Sequence, residues 1–251
     1  MQSFRLTAVV TLLVNVLIGA AAQEQLHSAI KPVPRDAKWL KRHETFVALA
    51  KRGGIDVLFL GDSITDSWGG EGHSPQAPGA KIFAREFVPL QAANFGIGGD
   101  RTQHVLWRIQ NGALDGIQPK VVMLLIGTNN TNGNDNTAEE IAEGITAIVR
   151  EIHKRSPKTK ILLLGIFPRG KDPNDPATKT QREKIARVNQ IIAKLDDGGK
   201  TVKYLDIGHL FIRPDGHISP DLMPDYLHLS EKGYELWAQA VKPIILELLK
   251  Q

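Results

Sequence analysis

The sequence predicts an α/β domain in which a parallel sheet is covered by helices on both faces, and two observations carry this reading. Short, continuous apolar runs recur at 55–60, 121–126, 161–166 and 202–205, the pattern of strands buried on both sides. Between them lie segments whose apolar residues repeat at helical spacing. The resulting β, α, β, α alternation is what crossover connections in a parallel sheet require. At 251 residues without a break in composition, the chain fits one large domain.

Residues 1–22 stand apart from the rest. Arg5 supplies a positive start, Leu6 to Ala21 is almost wholly apolar, and Ala20-Ala21-Ala22 offers a small-residue cleavage site, which together read as a secretory signal peptide. The run is short for a span of ~20 residues and no stop-transfer cluster follows. Cleavage near Ala22 is therefore expected, leaving the mature protein secreted or periplasmic. Residues 23–36 read as an N-terminal linker and 37–251 as the folded domain.

Within that domain, Trp39, Leu40, Phe46 and Leu49 mark a first helix over 37–52 that stops at Gly53-Gly54, as a glycine C-cap would stop it. The run 55–60 then forms a strand ending at Gly61. A weaker strand near 92–96 precedes a helical pattern containing Val105, Leu106 and Ile109. After the strand at 121–126, Ile141, Ile145, Ile148, Val149 and Ile152 line one helical face, opened by Thr137 and Glu140 as a capping box. Beyond 161–166, Ile185, Val188, Ile192 and Leu195 line another, opened by Thr180 and Glu183. The strand 202–205 is followed by a last helix over about 231–249, which Pro243 should kink.

Composition removes several functions. The formal charge of +4 is small and its basic residues are scattered, so nucleic acid is not an implied partner. Export permits disulfides, yet the chain has no Cys; stability must come from the core, and thiolate chemistry is excluded. No H-E-x-x-H occurs, His43-Glu44 lacks a second histidine at the required position, and Asp206 with His209 is too little for a site. A metal site is not expected.

In open α/β sheets, ligands bind beyond the carboxyl ends of the strands, and four such places are informative. Gly61-Asp62-Ser63-Ile64-Thr65 follows the first strand, so Ser63 either caps a helix or stands exposed at its start as a nucleophile. Thr65 occupies the second glycine position of G-x-S-x-G, which disfavours the α/β-hydrolase elbow. Asn94-Phe95-Gly96-Ile97-Gly98-Gly99-Asp100 follows the second strand; Arg101 breaks the dinucleotide fingerprint, leaving turn glycines with backbone N–H groups on offer. Gly127-Thr128-Asn129-Asn130 places a carboxamide after the third, as a turn residue or a donor. Near the end, Asp225 stands three residues before His228, within reach of its ring if one turn joins them, or merely on a surface turn. An acid so placed fixes the tautomer of a histidine that takes a serine proton. His73, His104, His153, His209 and His217 have no such setting.

Taken jointly and in this order, Gly61-Asp62-Ser63, Gly99, Asn129 and Asp225-x-x-His228 resemble the consensus blocks of the SGNH (GDSL) hydrolase family. Asn94 to Asp100, Thr102 to Arg108 and Asp225 to Ser230 are similar in particular to the catalytic subunits of intracellular platelet-activating factor acetylhydrolase. The resemblance implies a three-layer flavodoxin-like, doubly wound sheet and ester hydrolysis through an acyl-serine. It implies Ser63 as nucleophile, His228 as base and then acid, and Asp225 as its orienting partner. The N–H groups of Ser63 and Gly99 and the amide of Asn129 would hold the oxyanion, and no cofactor is implied. Similar members form dimers.

The export signal departs from those intracellular relatives and shifts the expected substrate to small acetyl esters, an acetylated carbohydrate or an acetylated lipid. The sequon Asn129-Asn130-Thr131 falls on the expected oxyanion donor and reads as unused, which favours bacterial export. Asn130, pointing elsewhere, is expected to matter much less than Asn129. Two alternatives are a carbohydrate-binding or other non-catalytic module on the same scaffold, and a nucleotide-binding α/β protein. The second lacks the Walker and the complete Rossmann patterns.

Overall fold

The computed structural model describes residues 26–250; the signal-peptide reading of residues 1–22 lies outside them. Five strands, β1 (Val57–Gly61), β2 (Ala92–Asn94), β3 (Val121–Leu125), β4 (Lys160–Leu164) and β5 (Val202–Leu205), form one sheet. Its order is β2-β1-β3-β4-β5, and every pairing is parallel. The weak strand is real but shorter than its apolar pattern, stopping at Asn94 because Gly96 packs against the chain that follows β1: a Cβ there would lie 2.3 Å from Asp66 N.

Alternation along the strands sorts the core into two layers. Leu58, Leu60, Val122, Leu124, Ile161 and Leu163 face α1 (Ala37–Arg52), α4 (Thr102–Arg108), α5 (Ala138–Arg155) and α6 (Pro176–Ile192) through Phe46, Val105, Ile145 and Val188. On the other face, Val57, Phe59, Met123 and Leu162 pack with Phe83 of α3 (Ala80–Glu86) and with Trp237 and Ile245 of α7 (Glu231–Leu248). The sheet is thus the middle of three layers. Among the described residues, no helix is long and apolar enough to cross a membrane.

Local signals place most helix ends. Gly53 caps α1 at φ 73°, and Thr137 with Glu140 forms a reciprocal capping box on α5. The start of α6 differs from the sequence reading. Asp175 is the cap, accepting from Thr178 N at 2.8 Å with Pro176 in the first turn, so Thr180 and Glu183 are interior. Asp-Pro at a helix start uses both an acceptor for a free N–H and a residue that needs none. Pro243 lies inside α7, which runs on through it.

The segment read as a linker is docked. Ala29 is fully buried, its carbonyl accepts from Thr102 Oγ1 at 2.8 Å, and Ser28 Oγ accepts from Asn136 Nδ2 at 2.9 Å. Residues 26–36 therefore form an arm across α4 and α5.

Candidate active site

The chain leaves β1 toward β2 on one side and returns to β3 on the other, so a crevice opens at the carboxyl ends of β1 and β3. Ser63 opens α2 (Ser63–Asp66), a single turn immediately after β1. Close approach makes this turn possible at Gly61, where a Cβ would lie 2.2 Å from both Leu125 O and Thr65 Oγ1. Tyr234 of α7 holds α2 from below, its hydroxyl donating to Ile64 O at 2.6 Å.

The structure brings Ser63 to His228 and His228 to Asp225. Ser63 Oγ lies 2.9 Å from His228 Nε2, and His228 Nδ1 lies 2.6 Å from Asp225 Oδ2. The other carboxylate oxygen of Asp225 accepts from the backbone N–H groups of Leu227 and His228 at 3.0 and 2.7 Å. Burial opposes ionisation of Asp225, but the bonds from the ring and backbone of His228 outweigh it and hold the carboxyl below its usual range. A carboxylate on Nδ1 leaves Nε2 as the acceptor for a serine proton. The turn bends at Tyr226, whose φ of 60° is left-handed and costs a non-glycine residue roughly 1–2 kcal/mol. Gly170 N donates to Tyr226 O at 3.0 Å, tying the turn to the loop after β4. The imidazole side chain is 40% exposed, so the site opens to solvent on that side.

Gly99 and Asn129 converge from β2 and β3. Gly99 has φ 79°, a conformation glycine adopts without penalty, and among the described residues its N–H makes no hydrogen bond. Asn129 Nδ2 donates to Asp100 O at 2.8 Å; that carbonyl only accepts, so the amide orientation is set and a second N–H remains. Asn130 does point elsewhere, but into the core. It is fully buried, accepts from Thr102 N, and donates toward Thr102 Oγ1, Gln103 Oε1 and Asn136 Oδ1. It is a structural hub of the core, a role the sequence reading did not assign to it.

Several neighbours carry no signal that pattern reading could isolate. Asp62, fully buried behind Ser63, accepts from Ile64 N at 3.0 Å, and burial pushes its pKa up to about 7. Arg169, half-buried after β4, lies near enough to Asp62 and Asp225 to feel both charges, while burial lowers its own pKa. Asp66, Arg35 and Asp100 surround the glycine loop. His104, left unassigned by the sequence, accepts from Arg101 N at 3.0 Å, and burial with three arginines nearby drives its pKa down to about 4. Among the described residues no group of three His, Asp or Glu side chains is placed to hold a metal ion.

Comparison with known proteins supplies the family. Residues 59–236 match the GDSL-like lipase/acylhydrolase family. The chain is 40% identical over 222 residues to the platelet-activating factor acetylhydrolase IB subunit alpha1 of Bos taurus, covering 88% of each. It is 41% identical over 223 residues to the alpha2 subunit of Rattus norvegicus, covering 89% of this chain and 90% of that one. Its fold is shared by a GDSL-like lipase from Bacteroides thetaiotaomicron, with TM-score 0.62, 18% identity and coverage of 82% and 97%. An acetylxylan esterase from Geobacillus stearothermophilus also shares it, with TM-score 0.55, 22% identity and coverage of 77% and 94%. The parallel three-layer fold, the matched span and the extent of identity place the chain in the GDSL-like lipase/acylhydrolase family, as an ester-hydrolysing serine hydrolase.

Proposed function

We propose that this esterase is exported, and that it removes short acyl groups, acetyl above all, through an acyl intermediate on Ser63. The observation that carries the reading is the chain of contacts Ser63 Oγ, His228, Asp225 at 2.9 and 2.6 Å. Ser63 Oγ attacks the ester carbonyl while His228 Nε2 takes its proton. The tetrahedral oxyanion is held by the N–H groups of Ser63 and Gly99 and by the free N–H of Asn129, which act most strongly as charge develops. His228 then protonates the departing alcohol, and water repeats the sequence to release the acid. Asp225 stays ionised and steadies the imidazolium.

The acetyl preference is supported by the relatives' designation as acetylhydrolase subunits. The exposed flank of His228 leaves room for a bulky alcohol, consistent with an acetylated carbohydrate or acetylated lipid. Export rests on the apolar run at Leu6 to Ala21, and a homodimer is part of the same reading.

Treating the purified protein with a fluorophosphonate and mapping the labelled peptide tests the nucleophile, with Ser63 the expected site and Ser63→Ala inactive. On a series of aryl esters, kcat/KM should fall from acetyl to longer chains. Label elsewhere, or an active Ser63→Ala protein, overturns the mechanism; a preference for long chains overturns only the substrate.

A further inference from the structure

The Gly98–Gly99 peptide has no support from secondary structure, since it belongs to neither β2 nor α4. Both backbone polar groups of Gly98 are nevertheless taken. Gly98 N donates to Asp66 Oδ2 at 2.9 Å, and Gly98 O accepts from Arg35 Nη1 at 2.8 Å. Because the peptide unit is planar and trans, the carbonyl of Gly98 and the N–H of Gly99 point in opposite directions. A group that fixes Gly98 O therefore fixes where the Gly99 N–H aims. The guanidinium also closes the rear of the loop: a Cβ on Gly99 would lie 3.1 Å from Arg35 Nη2.

We propose that Arg35, carried by the N-terminal arm, is a positioning residue that aims the Gly99 N–H at the oxyanion, with Asp66 as the opposing half of a clamp. The inference rests on the reading of Ser63 as nucleophile. Both halves are braced. Arg35 Nη1 also donates to Asp100 Oδ1 at 3.2 Å, and Asp100 is fixed by Trp39 Nε1 at 2.6 Å and Arg108 Nη1 at 2.9 Å. The backbone carbonyl of that same Asp100 orients Asn129, so one residue anchors the setting of two donors.

On the other side, Asp66 Oδ1 accepts from Arg42 Nη2 at 2.7 Å and lies 2.7 Å from Nδ1 of His73. The His73 side chain is fully buried, its Nε2 donates to Asn94 O at 2.7 Å, and its ring stacks on Phe46 at 5.1 Å. Burial opposes ionisation of Asp66, but His73 and Arg42 outweigh it and hold the carboxyl below its usual range, so the clamp keeps its charge. Asp66 sits one helical turn after Ser63, which couples loop and nucleophile through a single turn of chain.

A donor displaced by the loss of its brace stabilises the transition state less while leaving the substrate's ground state alone. Arg35→Met is therefore expected to lower kcat about 10- to 100-fold with KM within about twofold. Affinity for an aryl boronic acid, which becomes tetrahedral on Ser63, should fall in parallel with kcat/KM. Arg35→Lys should recover part of the loss, and millimolar guanidinium should partly rescue Arg35→Met. Asp66→Asn, which alters the hold on the N–H of Gly98, in the preceding peptide unit, without touching the arm, should show the same split between kcat and KM. Thermal midpoints of all variants are measured alongside; a protein weakened only in folding would lose active fraction without losing boronate affinity. Wild-type kcat in Arg35→Met and Asp66→Asn, a loss confined to KM, or unchanged boronate affinity overturns the clamp. Ser63→Ala in the same assays separates the two levels: if it is active the nucleophile is wrong, and if it is dead while Arg35→Met is unimpaired only the clamp is wrong.

Discussion

Asn129 and Asn130 are adjacent in sequence and opposite in consequence. Removing an oxyanion donor typically lowers kcat by about 10² to 10³. Asn129→Ala should therefore reduce kcat and kcat/KM together with KM nearly constant, as steady-state kinetics would show. Asn130→Ala instead leaves the buried Thr102 N without a partner and takes one donor from Gln103, which costs about 1–3 kcal/mol, visible as a lowered denaturation midpoint. Asp62 gives a prediction with a defined sign. Its folded pKa, about 7, stands above the usual 3.8, so between these values the folded protein binds more protons than the unfolded chain and its stability falls as pH rises. Asp62→Asn, which keeps an oxygen for Ile64 N, should match wild type near about pH 4. By about pH 8 it should be more stable by about 1 kcal/mol or more, one pKa unit being worth ~1.4 kcal/mol. Equal differences at both pH values in paired denaturant titrations would show that Asp62 is not held neutral. Asp225 and His228 were legible because His228 stands three positions after Asp225 and one turn joins them. Arg35 and Asp66 were not, because their partner Gly98 lies 63 and 32 residues away and neither is marked by local spacing.

At the scale of elements, the sequence is most readable where a local rule decides the outcome. The glycine at the end of α1 and the Thr137–Glu140 box of α5 are such cases. At α6 two local signals competed, and the Asp175-Pro176 start prevailed over Thr180-Glu183 because it adds a full turn to the helix before Ile185 meets the core. β2 was faint for a tertiary reason: two of its three residues, Ala92 and Ala93, are only half-covered, and its extension is replaced by the glycine loop. The β1–α2 junction has the least slack. Gly61 has no room for a Cβ between Leu125 O and Thr65 Oγ1, and overpacking of this kind costs typically 1–3 kcal/mol. Gly61→Ala should lower the thermal midpoint and, by moving Ser63 away from His228, lower kcat as well. Retained kcat in a folded Gly61→Ala protein would show that α2 shifts without disturbing the nucleophile.

For the whole molecule, the sheet with helices on both sides was legible because its strands are nearly pure apolar runs and its helices strongly amphipathic. The docked arm was not, since a short segment rich in Pro and polar residues has no periodicity, and only Ala29 reveals, once buried, that it belongs to the body. The order of the sheet also sets the ends of the site far apart along the chain: Ser63 and His228 are separated by 165 residues, and α7, which packs Trp237 and Tyr234 beneath α2, comes after both. While the polypeptide is still being synthesised, the serine has emerged and β1 is complete long before His228, its proposed base, has been made. On the proposed mechanism a chain that stops short of His228 should not cleave a chromogenic ester, so hydrolysis doubles as a report that synthesis has passed that residue and that α7 has closed beneath α2.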